Sequence, residues 1–391
     1  MGKKSPNTIC FVTGGRADFG LLRFLIEDVK KHFPVQLIAT GMHLAPQFGD
    51  TYKEIEEAGF KIDEKVDLQI RDDSALDVTQ AMGRATIGLA AAFDRLKPDL
   101  VFLLGDRSEI FAAAQAALVA LIPVAHVAGG DTTEGAIDEA FRHGITKMAH
   151  LHFTTNAESA ARVRQLGENP SHVYNVGHIG IDSIQRTEKM TVETLERELQ
   201  WTFRKRNIVI TFHPATLEPG SAERDSKELL NALDGFGPDL GLIFTLSNSD
   251  SEASRVNRLI EKFCEGRAHA KAVASLGRLK YINLMRVVDA IVGNSSSGIY
   301  EAPALGKPSV NIGNRQRGRL QSSSVLNCTA EQKEIYATVL SALSVKPSRV
   351  SHPYGDGHTI ARIIEILKSI ADFKPLVKKH FYSIEPRPEI P

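Results

Sequence analysis

The sequence has little cysteine and no excess of charge of either sign. Its 391 residues include three cysteines, which stand far apart at Cys10, Cys264 and Cys328. This spacing excludes a disulfide framework and a cysteine-rich metal site, and it fits a reducing compartment. Lysine plus arginine and aspartate plus glutamate both number 47, so the formal net charge is zero. We therefore expect no broad binding to nucleic acid.

Long apolar segments are also missing. The longest mainly apolar stretch, residues 110–128, contains Gln115 and Pro123 and is a poor membrane span. The N-terminal residues lead directly into a strand-like run, without a separate apolar signal region. These features predict a cytoplasmic protein with no membrane partner.

The sequence does have the composition of a globular protein, with 42% hydrophobic and 24% charged residues. Short apolar runs alternate with helical stretches, a pattern typical of parallel strands joined by helices. The predicted strands are residues 8–13, 35–40, 100–104, 124–127 and 152–154, then 207–212, 240–246, 290–292 and 309–312. Helices are predicted from near Phe19 and over residues 358–370.

The pattern predicts an α/β protein with two Rossmann-like domains. We place the first domain at residues 1–185, the second at residues 186–375 and a tail at residues 376–391. The charged residues 185–205 are predicted to form a helical connection. Two such sheets in tandem favour a ligand site in the cleft that faces the carboxyl ends of the strands.

Two polar loops follow predicted strands of the first half. Residues 14–20 (GGRADFG) combine two glycines with Arg16 and a helix start, which suits a phosphate group. Residues 105–109 (GDRSE) place Asp106, a candidate acid or base, beside Arg107, a candidate phosphate ligand. The structural alternatives are an ordinary turn for the first loop and helix capping by Asp106 for the second.

A third loop, residues 126–143, is the richest in carboxylates. Asp131, Glu134, Asp138 and Glu139 lie within nine positions, beside two histidines. Crowded acids raise one another's pKa, so this loop is a candidate for proton transfer near neutral pH. The alternative is a solvated loop that leads into the acidic first turn of a helix.

In the second half, polar groups again follow predicted strands. His213 precedes a proline that fixes the local chain, although a single histidine after a strand is more often structural. Residues 292–303 (VGNSSSGIYEAP) place three serines and a glycine before a helix, which predicts a phosphate-binding nest. Glu301, one turn further on, is a candidate ribose ligand or part of a helix cap. Residues 313–319 add three arginines.

Several familiar signatures are absent. The 13 histidines have no metal-ligand spacing, and the sequence contains no dinucleotide fingerprint, no Walker-type lysine loop and no Ser-His-Asp elbow. We therefore predict no metal site and no cofactor.

Together these motifs resemble one family, the hydrolysing UDP-N-acetylglucosamine 2-epimerases. The resemblance covers residues 9–370 and rests on the order of residues 15–20, 105–107, 126–131, 138–143, 294–301 and 306–319. It implies the GT-B fold, in which two Rossmann-like domains close over the substrate, without metal or NAD. It also implies a UDP-sugar as the small-molecule partner, a homodimer or homotetramer, and a place in sialic acid or legionaminic acid biosynthesis.

The resemblance implies roles for single residues. Positions that match diphosphate ligands are Arg16, Arg107, Ser295, Ser296 and Arg315, with Ser297 in the same nest. Glu301 matches the ribose ligand, and the positions that match contacts to uridine or sugar are Asn248 and Tyr281. Positions implicated in catalysis are Asp106, Asp138 and His213.

One position departs from the family pattern. Members that act on UDP-N-acetylglucosamine often carry a glutamate two residues after the histidine of the third loop, where this chain has Ala128. Either Asp131 or Glu134 covers its role, or the substrate differs. A smaller side chain would make room for the bulkier sugar of UDP-N,N'-diacetylbacillosamine.

The expected reaction eliminates UDP and adds water, which yields the free 2-epimeric sugar: N-acetylmannosamine or its 2,4-diacetamido-6-deoxy analogue. Three alternatives remain open. A non-hydrolysing epimerase would return UDP to the intermediate, a GT-B glycosyltransferase would need an acceptor, and a sugar-nucleotide-binding protein would turn nothing over.

Overall fold

The computed structural model describes residues 7–215, 220–247, 252–274, 276–345 and 352–384, and these form two parallel sheets flanked by helices. The first sheet contains β1 (Ile9–Thr13), β2 (Val35–Thr40), β3 (Glu64–Val66), β4 (Leu100–Leu104), β5 (Val124–Val127), β6 (Leu151–Thr154) and β7 (Val173–Asn175). The second contains β8 (Arg206–Thr211), β9 (Leu240–Thr245), β10 (Ala270–Val273), β11 (Ala290–Gly293), β12 (Ser309–Ile312) and β13 (Val325–Cys328).

Helices connect the strands in both units. Before the second sheet these are α1 (Arg16–Val29), α2 (Tyr52–Glu57), α3 (Ala75–Leu96), α4 (Ser108–Val119), α5 (Asp138–Met148), α6 (Ala157–Gln165), α7 (Ile179–Arg186) and α8 (Val192–Leu199). The later helices are α9 (Ser221–Asp234), α10 (Ala253–Cys264), α11 (Gly277–Val287), α12 (Ser297–Ala304), α13 (Gln332–Ser344) and α14 (Thr359–Ser369). Single 3-10 turns cover Gly41–Leu44, Pro46–Phe48, Pro170–His172 and Lys374–Val377.

Both sheets have doubly wound topology. The strand orders are β3-β2-β1-β4-β5-β6-β7 and β10-β9-β8-β11-β12-β13, and the pairings within them are parallel. The strand order reverses beside β1 in one sheet and beside β8 in the other, and a reversal of this kind opens a crevice at the carboxyl ends of the strands. The predicted fold class, α/β with two Rossmann-like domains, is confirmed.

Each sheet is buried on both faces, as expected for parallel strands covered by helices. In β1, Ile9 and Phe11 face one apolar cluster while Cys10 and Val12 face another, and all four side chains are inaccessible to solvent. Complete burial of side chains of this size contributes roughly 1.5–3 kcal/mol each. These two clusters hold the loops at the strand ends on a rigid base.

Helix α14 returns to the first unit. Its buried residues Ile360, Ile363, Ile364 and Leu367 recur with helical spacing and pack in the same cluster as Phe11. The predicted limit at residue 375 grouped this helix with the second domain, whereas its packing groups it with the first. The predicted connection over residues 185–205 contains α8.

The described part of the predicted tail, residues 376–384, also packs on the first unit. Lys379 Nζ donates to the backbone oxygens of Lys147 and Ala149 at 2.7 and 2.8 Å, and to Glu168 Oε2 at 2.7 Å. Lys379 thereby caps the carboxyl end of α5. Over the described ranges, no helix has the length and apolarity that a membrane crossing needs.

Candidate active site

Three loops of the first unit meet because they follow the neighbouring strands β1, β4 and β5. The loop after β1 is built closely against the loop after β4: a Cβ on Gly14 would lie 2.1 Å from Glu109 Oε1. A side chain at position 14 would therefore have to displace the buried carboxylate of Glu109. Helix α1 begins at Arg16, three residues earlier than predicted, with Gly15 as its N-cap.

Arg142, on α5, is the centre of the third loop. Its guanidinium is almost inaccessible, with 1% exposure, and forms a salt bridge with Asp106. It also donates to Asp131 O and Glu139 Oε2, both at 2.9 Å, and to Thr133 Oγ1 at 2.6 Å. A buried guanidinium with this many acceptors fixes the loop after β4 relative to the loop after β5.

Asp106 is kept ionised by charges from both units. Burial alone would raise the pKa of Asp106, but Arg142 and then Arg319 and Arg315 together lower it. Asp106 does not cap α4, whose N-cap is Arg107 and lacks a side-chain cap bond. The predicted acid therefore faces the arginines of residues 313–319 across the cleft.

Asp131 has both carboxylate oxygens engaged. Thr155 Oγ1 and Ser159 Oγ donate to Oδ1 at 2.5 and 2.7 Å, and Tyr300 OH on α12 donates to Oδ2 at 2.6 Å. Both oxygens of this carboxylate are thus already hydrogen-bonded within the protein. The geometry favours an anchoring role between the units over the predicted catalytic role of Asp131.

The third loop touches the second unit at further points. Arg319 donates to Thr132 O at 2.8 Å and to Thr133 Oγ1 at 2.9 Å. Glu134 is exposed and pairs with Arg317 at 3.3 Å on the rim of the cleft. A partly solvated rim pair does not suit the predicted catalytic role of Glu134 either.

In the second unit, Asn294 holds the loop that carries His213. Its side chain accepts from His213 N at 2.7 Å and donates to His213 O at 2.8 Å. The His213 ring contacts Ser247 Oγ through Nδ1 at 2.7 Å and is buried. The predicted histidine is thus fixed at the carboxyl end of β8.

The predicted serine nest precedes α12, which begins at Ser297. Ser297 Oγ lies 3.2 Å from Ser295 Oγ and 2.6 Å from Tyr281 OH, so the Tyr281 hydroxyl holds that of Ser297 in position. Ser295 and Ser296 are partly exposed at the helix start, where backbone N–H groups point outward. This arrangement matches an anion site.

The predicted cationic and ribose ligands are partly engaged within the protein. Arg16 pairs with Glu54 at 2.5 Å, Arg107 with Glu109 at 2.9 Å, and Glu301 with Arg278 at 3.0 Å. In the second unit, Arg315 Nη1 donates to Asn294 O at 3.1 Å.

Within the described ranges, Nε of Arg16 and Nε of Arg315 are buried without a hydrogen-bond partner. They lie in opposite units. Such unsatisfied donors cost about 1–3 kcal/mol each, which an anionic ligand would offset.

Asp138 and Asn248 are the remaining predicted site residues. Asp138 begins α5, one helical turn before Arg142, and is half-buried. Asn248 lies outside the described residues. In the described ranges, no three metal-ligating side chains form a cluster.

Sequence reasoning missed the residues that hold the site together, chiefly Arg142, Asn294, Arg278 and Arg319. Arg142 and Asn294 lie inside the motifs, and Arg319 ends the arginine-rich loop, but their partners are distant in sequence. Asp106 is 36 positions from Arg142, and His213 is 81 positions from Asn294. One pattern in the sequence could have indicated Arg142: it stands four positions after Asp138, so the two residues lie on the same face of a helix.

The two units therefore face each other with carboxylates on one wall of a cleft and the serine-rich start of α12 on the other. A model of the UDP-N-acetylglucosamine 2-epimerase family matches residues 27–368. The chain belongs to this family, and the prediction of an enzyme of this kind is confirmed.

Individual relatives agree with this assignment. The chain is 39% identical over 326 residues to the GDP/UDP-N,N'-diacetylbacillosamine 2-epimerase (hydrolyzing) of Campylobacter jejuni, which covers 83% of this chain and 84% of the relative. It is 30% identical over 373 residues to the UDP-N,N'-diacetylbacillosamine 2-epimerase (hydrolyzing) of Legionella pneumophila, with 95% and 98% coverage.

A solved structure agrees with the fold. The UDP-N-acetylglucosamine 2-epimerase of Neisseria meningitidis superposes with a TM-score of 0.78 at 21% identity, covering 93% of this chain and 100% of that chain.

Proposed function

We propose that the protein is a hydrolysing 2-epimerase that converts a UDP-N-acetylhexosamine into the free 2-epimeric sugar and UDP. The observation that carries the proposal is the convergence on Asp106 of charges from both units, Arg142 from one and Arg315 and Arg319 from the other. An ionised carboxylate beside a cationic wall suits proton transfer next to a departing diphosphate.

The diphosphate is assigned to the space between the start of α1 and the serine nest. Arg16 and Arg315 each contribute a buried Nε with no acceptor in the described part of the chain. Arg107 adds charge from the loop after β4, and Ser295 and Ser296 add hydroxyl and backbone donors. Charge that develops on the departing phosphate would be spread over these groups.

The ribose is assigned to Glu301, whose pairing with Arg278 orients the carboxylate. Asn248 and Tyr281 stay candidate contacts to uridine or sugar; Tyr281 would act through Ser297.

In the proposed reaction, Asp106 or Asp138 takes the proton from carbon 2 and the carbon 1–oxygen bond to UDP breaks. The bonding electrons of the lost proton form the double bond of a glycal-type intermediate. Water then adds at carbon 1, and a proton returns to carbon 2 on the opposite face. His213, whose ring contacts Ser247, would assist at the other wall of the cleft. Closure of the two units would keep bulk water from the intermediate.

The substrate we favour is UDP-N,N'-diacetylbacillosamine, which leads towards legionaminic acid, rather than UDP-N-acetylglucosamine. Ala128 supports this choice. It is a small side chain in the third loop, at a left-handed φ of 64°, where family members that act on UDP-N-acetylglucosamine often carry a glutamate. The names of the two relatives described above point to the same sugar. Asp131 and Glu134 are committed to other contacts, so neither supplies the missing carboxylate in this geometry.

The test compares the purified protein on UDP-N,N'-diacetylbacillosamine, its GDP counterpart and UDP-N-acetylglucosamine, with each product identified. We expect free 2-epimeric sugar plus UDP, with the diacetamido substrate clearly preferred. Ala128→Glu should move the preference towards UDP-N-acetylglucosamine, and Ala128→Ser, which adds little volume, should not. Preference of the wild type for UDP-N-acetylglucosamine would contradict the substrate assignment.

The same assay separates the other functions. An epimerised UDP-sugar would identify a non-hydrolysing epimerase, and transfer that requires an acceptor would identify a glycosyltransferase. UDP binding without turnover of any sugar would identify a binding protein.

We further propose a cytoplasmic homo-oligomer. Helices α3 and α4 pack together, and Ile87 on α3, Val119 at the end of α4 and Leu121 just after it are exposed at 74%, 84% and 71%. These exposed apolar side chains are available to a second copy of the chain. Light scattering should give a dimer or tetramer, and Val119→Glu should reduce it to smaller species; a monomeric wild type would contradict the proposal.

A further inference from the structure

Asp18 is a carboxylic residue at the cleft that the proposed reaction does not yet use. It lies in the first turn of α1, directly after the two-glycine loop. Its Oδ2 atom is buried without a hydrogen-bond partner among the residues that the structure describes, and it lies 4.0 Å from the position that a Cβ on Gly15 would take. A buried, unpaired carboxylate oxygen is costly, and protonation of the carboxyl reduces that cost.

The neighbouring carboxylates are in a different state. Asp106 forms a salt bridge with Arg142, and Glu109 accepts from Arg107 Nε at 2.9 Å. On the helix of Asp18 itself, Arg16 is paired with Glu54. Each of these cations is thus already paired with another carboxylate, although the charge of Arg107 also reaches Asp18. Asp18 is the member of the cluster best suited to hold a proton.

The pKa of Asp18 also indicates that its carboxyl group can hold a proton. Burial raises the pKa of Asp18 to about 7; Arg107 and a hydrogen bond with the Gly14 backbone work against the shift, and Glu109 and Asp106 add to it. A diphosphate at Arg16 and the α1 N-terminus would add negative charge close by and raise this pKa further. In the complex at neutral pH, the carboxylic acid would therefore predominate.

We propose that Asp18 is a further catalytic residue, the general acid that protonates the phosphate oxygen departing from carbon 1. This proposal rests on the proposed function. Asp106 or Asp138 takes the carbon 2 proton, the C–H electrons form the carbon 1–carbon 2 double bond, and the carbon 1–oxygen electrons go to the phosphate. The Asp18 O–H proton moves to that phosphate, and Asp18 regains a proton from water after UDP departs.

Asp18→Asn tests the role directly, with Asp18→Glu as the conservative variant. Asp28→Asn is the matched control, because Asp28 lies at the far end of the same helix in surface pairs with Lys31 and Arg186. We expect Asp18→Asn to lower kcat by roughly 10²-fold or more while it binds UDP as tightly as the wild type. Asp18→Glu should recover part of the loss, and Asp28→Asn should match the wild type.

The pH profile distinguishes an acid from a structural residue. Asp18 acts while protonated, so kcat/KM of the wild type should fall as the pH rises above about 7. The fall in kcat should come at higher pH, because bound diphosphate raises the pKa. Both limbs should vanish in Asp18→Asn.

A carbon-13 NMR titration of labelled aspartate carboxyls in the free enzyme gives a readout without turnover. One signal should titrate near pH 7 in the wild type and be missing in Asp18→Asn. An alkaline limb that persists in Asp18→Asn, or a loss of UDP affinity as large as the loss of kcat, would overturn the proposal. A wild type that releases no free sugar would instead contradict the proposed function itself.

Discussion

Arg142→Met is the substitution that most directly probes the buried centre of the site. Methionine keeps much of the side-chain volume but removes the charge that offsets the burial of Asp106. Loss of one partner of a buried ion pair costs about 3–5 kcal/mol. Asp106 keeps 22% exposure, so we expect a value near 3 kcal/mol at pH 7.5, at the lower end of that range. Urea denaturation followed by circular dichroism measures this loss.

The stability that Arg142→Met loses should depend on pH in one direction, which is set by the pKa of Asp106. Arg142, Arg319 and Arg315 hold the pKa of Asp106 below its usual value in the wild type. Without Arg142, burial dominates and raises that pKa, so the variant should recover stability relative to the wild type as the pH falls and Asp106 becomes neutral.

The control is a double-mutant cycle. Asp106→Asn combined with Arg142→Met removes both partners of this ion pair, so the double variant should be more stable than Arg142→Met alone. The coupling energy should lie in the range of about 1–3 kcal/mol. Arg23→Met, which removes a half-exposed surface ion pair, should cost no more than about 0.5 kcal/mol. A loss from Arg142→Met as small as that of Arg23→Met would refute the reasoning.

Three further predictions concern the elements around this centre. Burial opposes ionisation of Glu168, but hydrogen bonds from its histidine and lysine neighbours lower its pKa from 4.5 to about 2, so it contributes stability above pH 4.5 that is lost as the pH falls towards 2. In urea denaturation the wild type should lose up to roughly 3 kcal/mol over this range, and Glu168→Gln should not; parallel curves would contradict the assignment. Asn294→Ala removes both hydrogen bonds to the His213 backbone and should lower kcat by roughly tenfold or more with little change in UDP affinity. An unchanged kcat would show that these two hydrogen bonds are not needed for turnover. Tyr300→Phe leaves Asp131 short of one donor and should lower the free energy of unfolding by about 1–3 kcal/mol, whereas a neutral effect would argue against an anchor between the units.

The sequence predicted the interior of both sheets and missed their edges. Each of the nine predicted strands is present with ends that differ by at most one residue. The four strands that were not predicted, β3, β7, β10 and β13, are the outermost strands of the two sheets. An edge strand is short and partly exposed, as in Glu64-Lys65-Val66, so it carries no continuous apolar run.

The candidate site could also be predicted only in part. Loops at strand ends could be found because parallel strands bring their carboxyl ends to one side of the sheet. The roles of Asp131 and Glu134 could not, since they depend on Tyr300 and Arg317 from the other unit. The packing of α14 on the first unit was hidden for the same reason: its apolar stripe predicts a buried face but does not name the core that buries it.

Proton NMR of the reaction in deuterated water, with UDP-N,N'-diacetylbacillosamine as substrate, tests the central claim most directly. The account predicts free UDP together with the free 2-epimeric sugar, deuterated at carbon 2, because the proton returned to that carbon comes from solvent. Epimeric sugar that stays attached to UDP, or free sugar that keeps its original configuration and its carbon 2 proton, would contradict it.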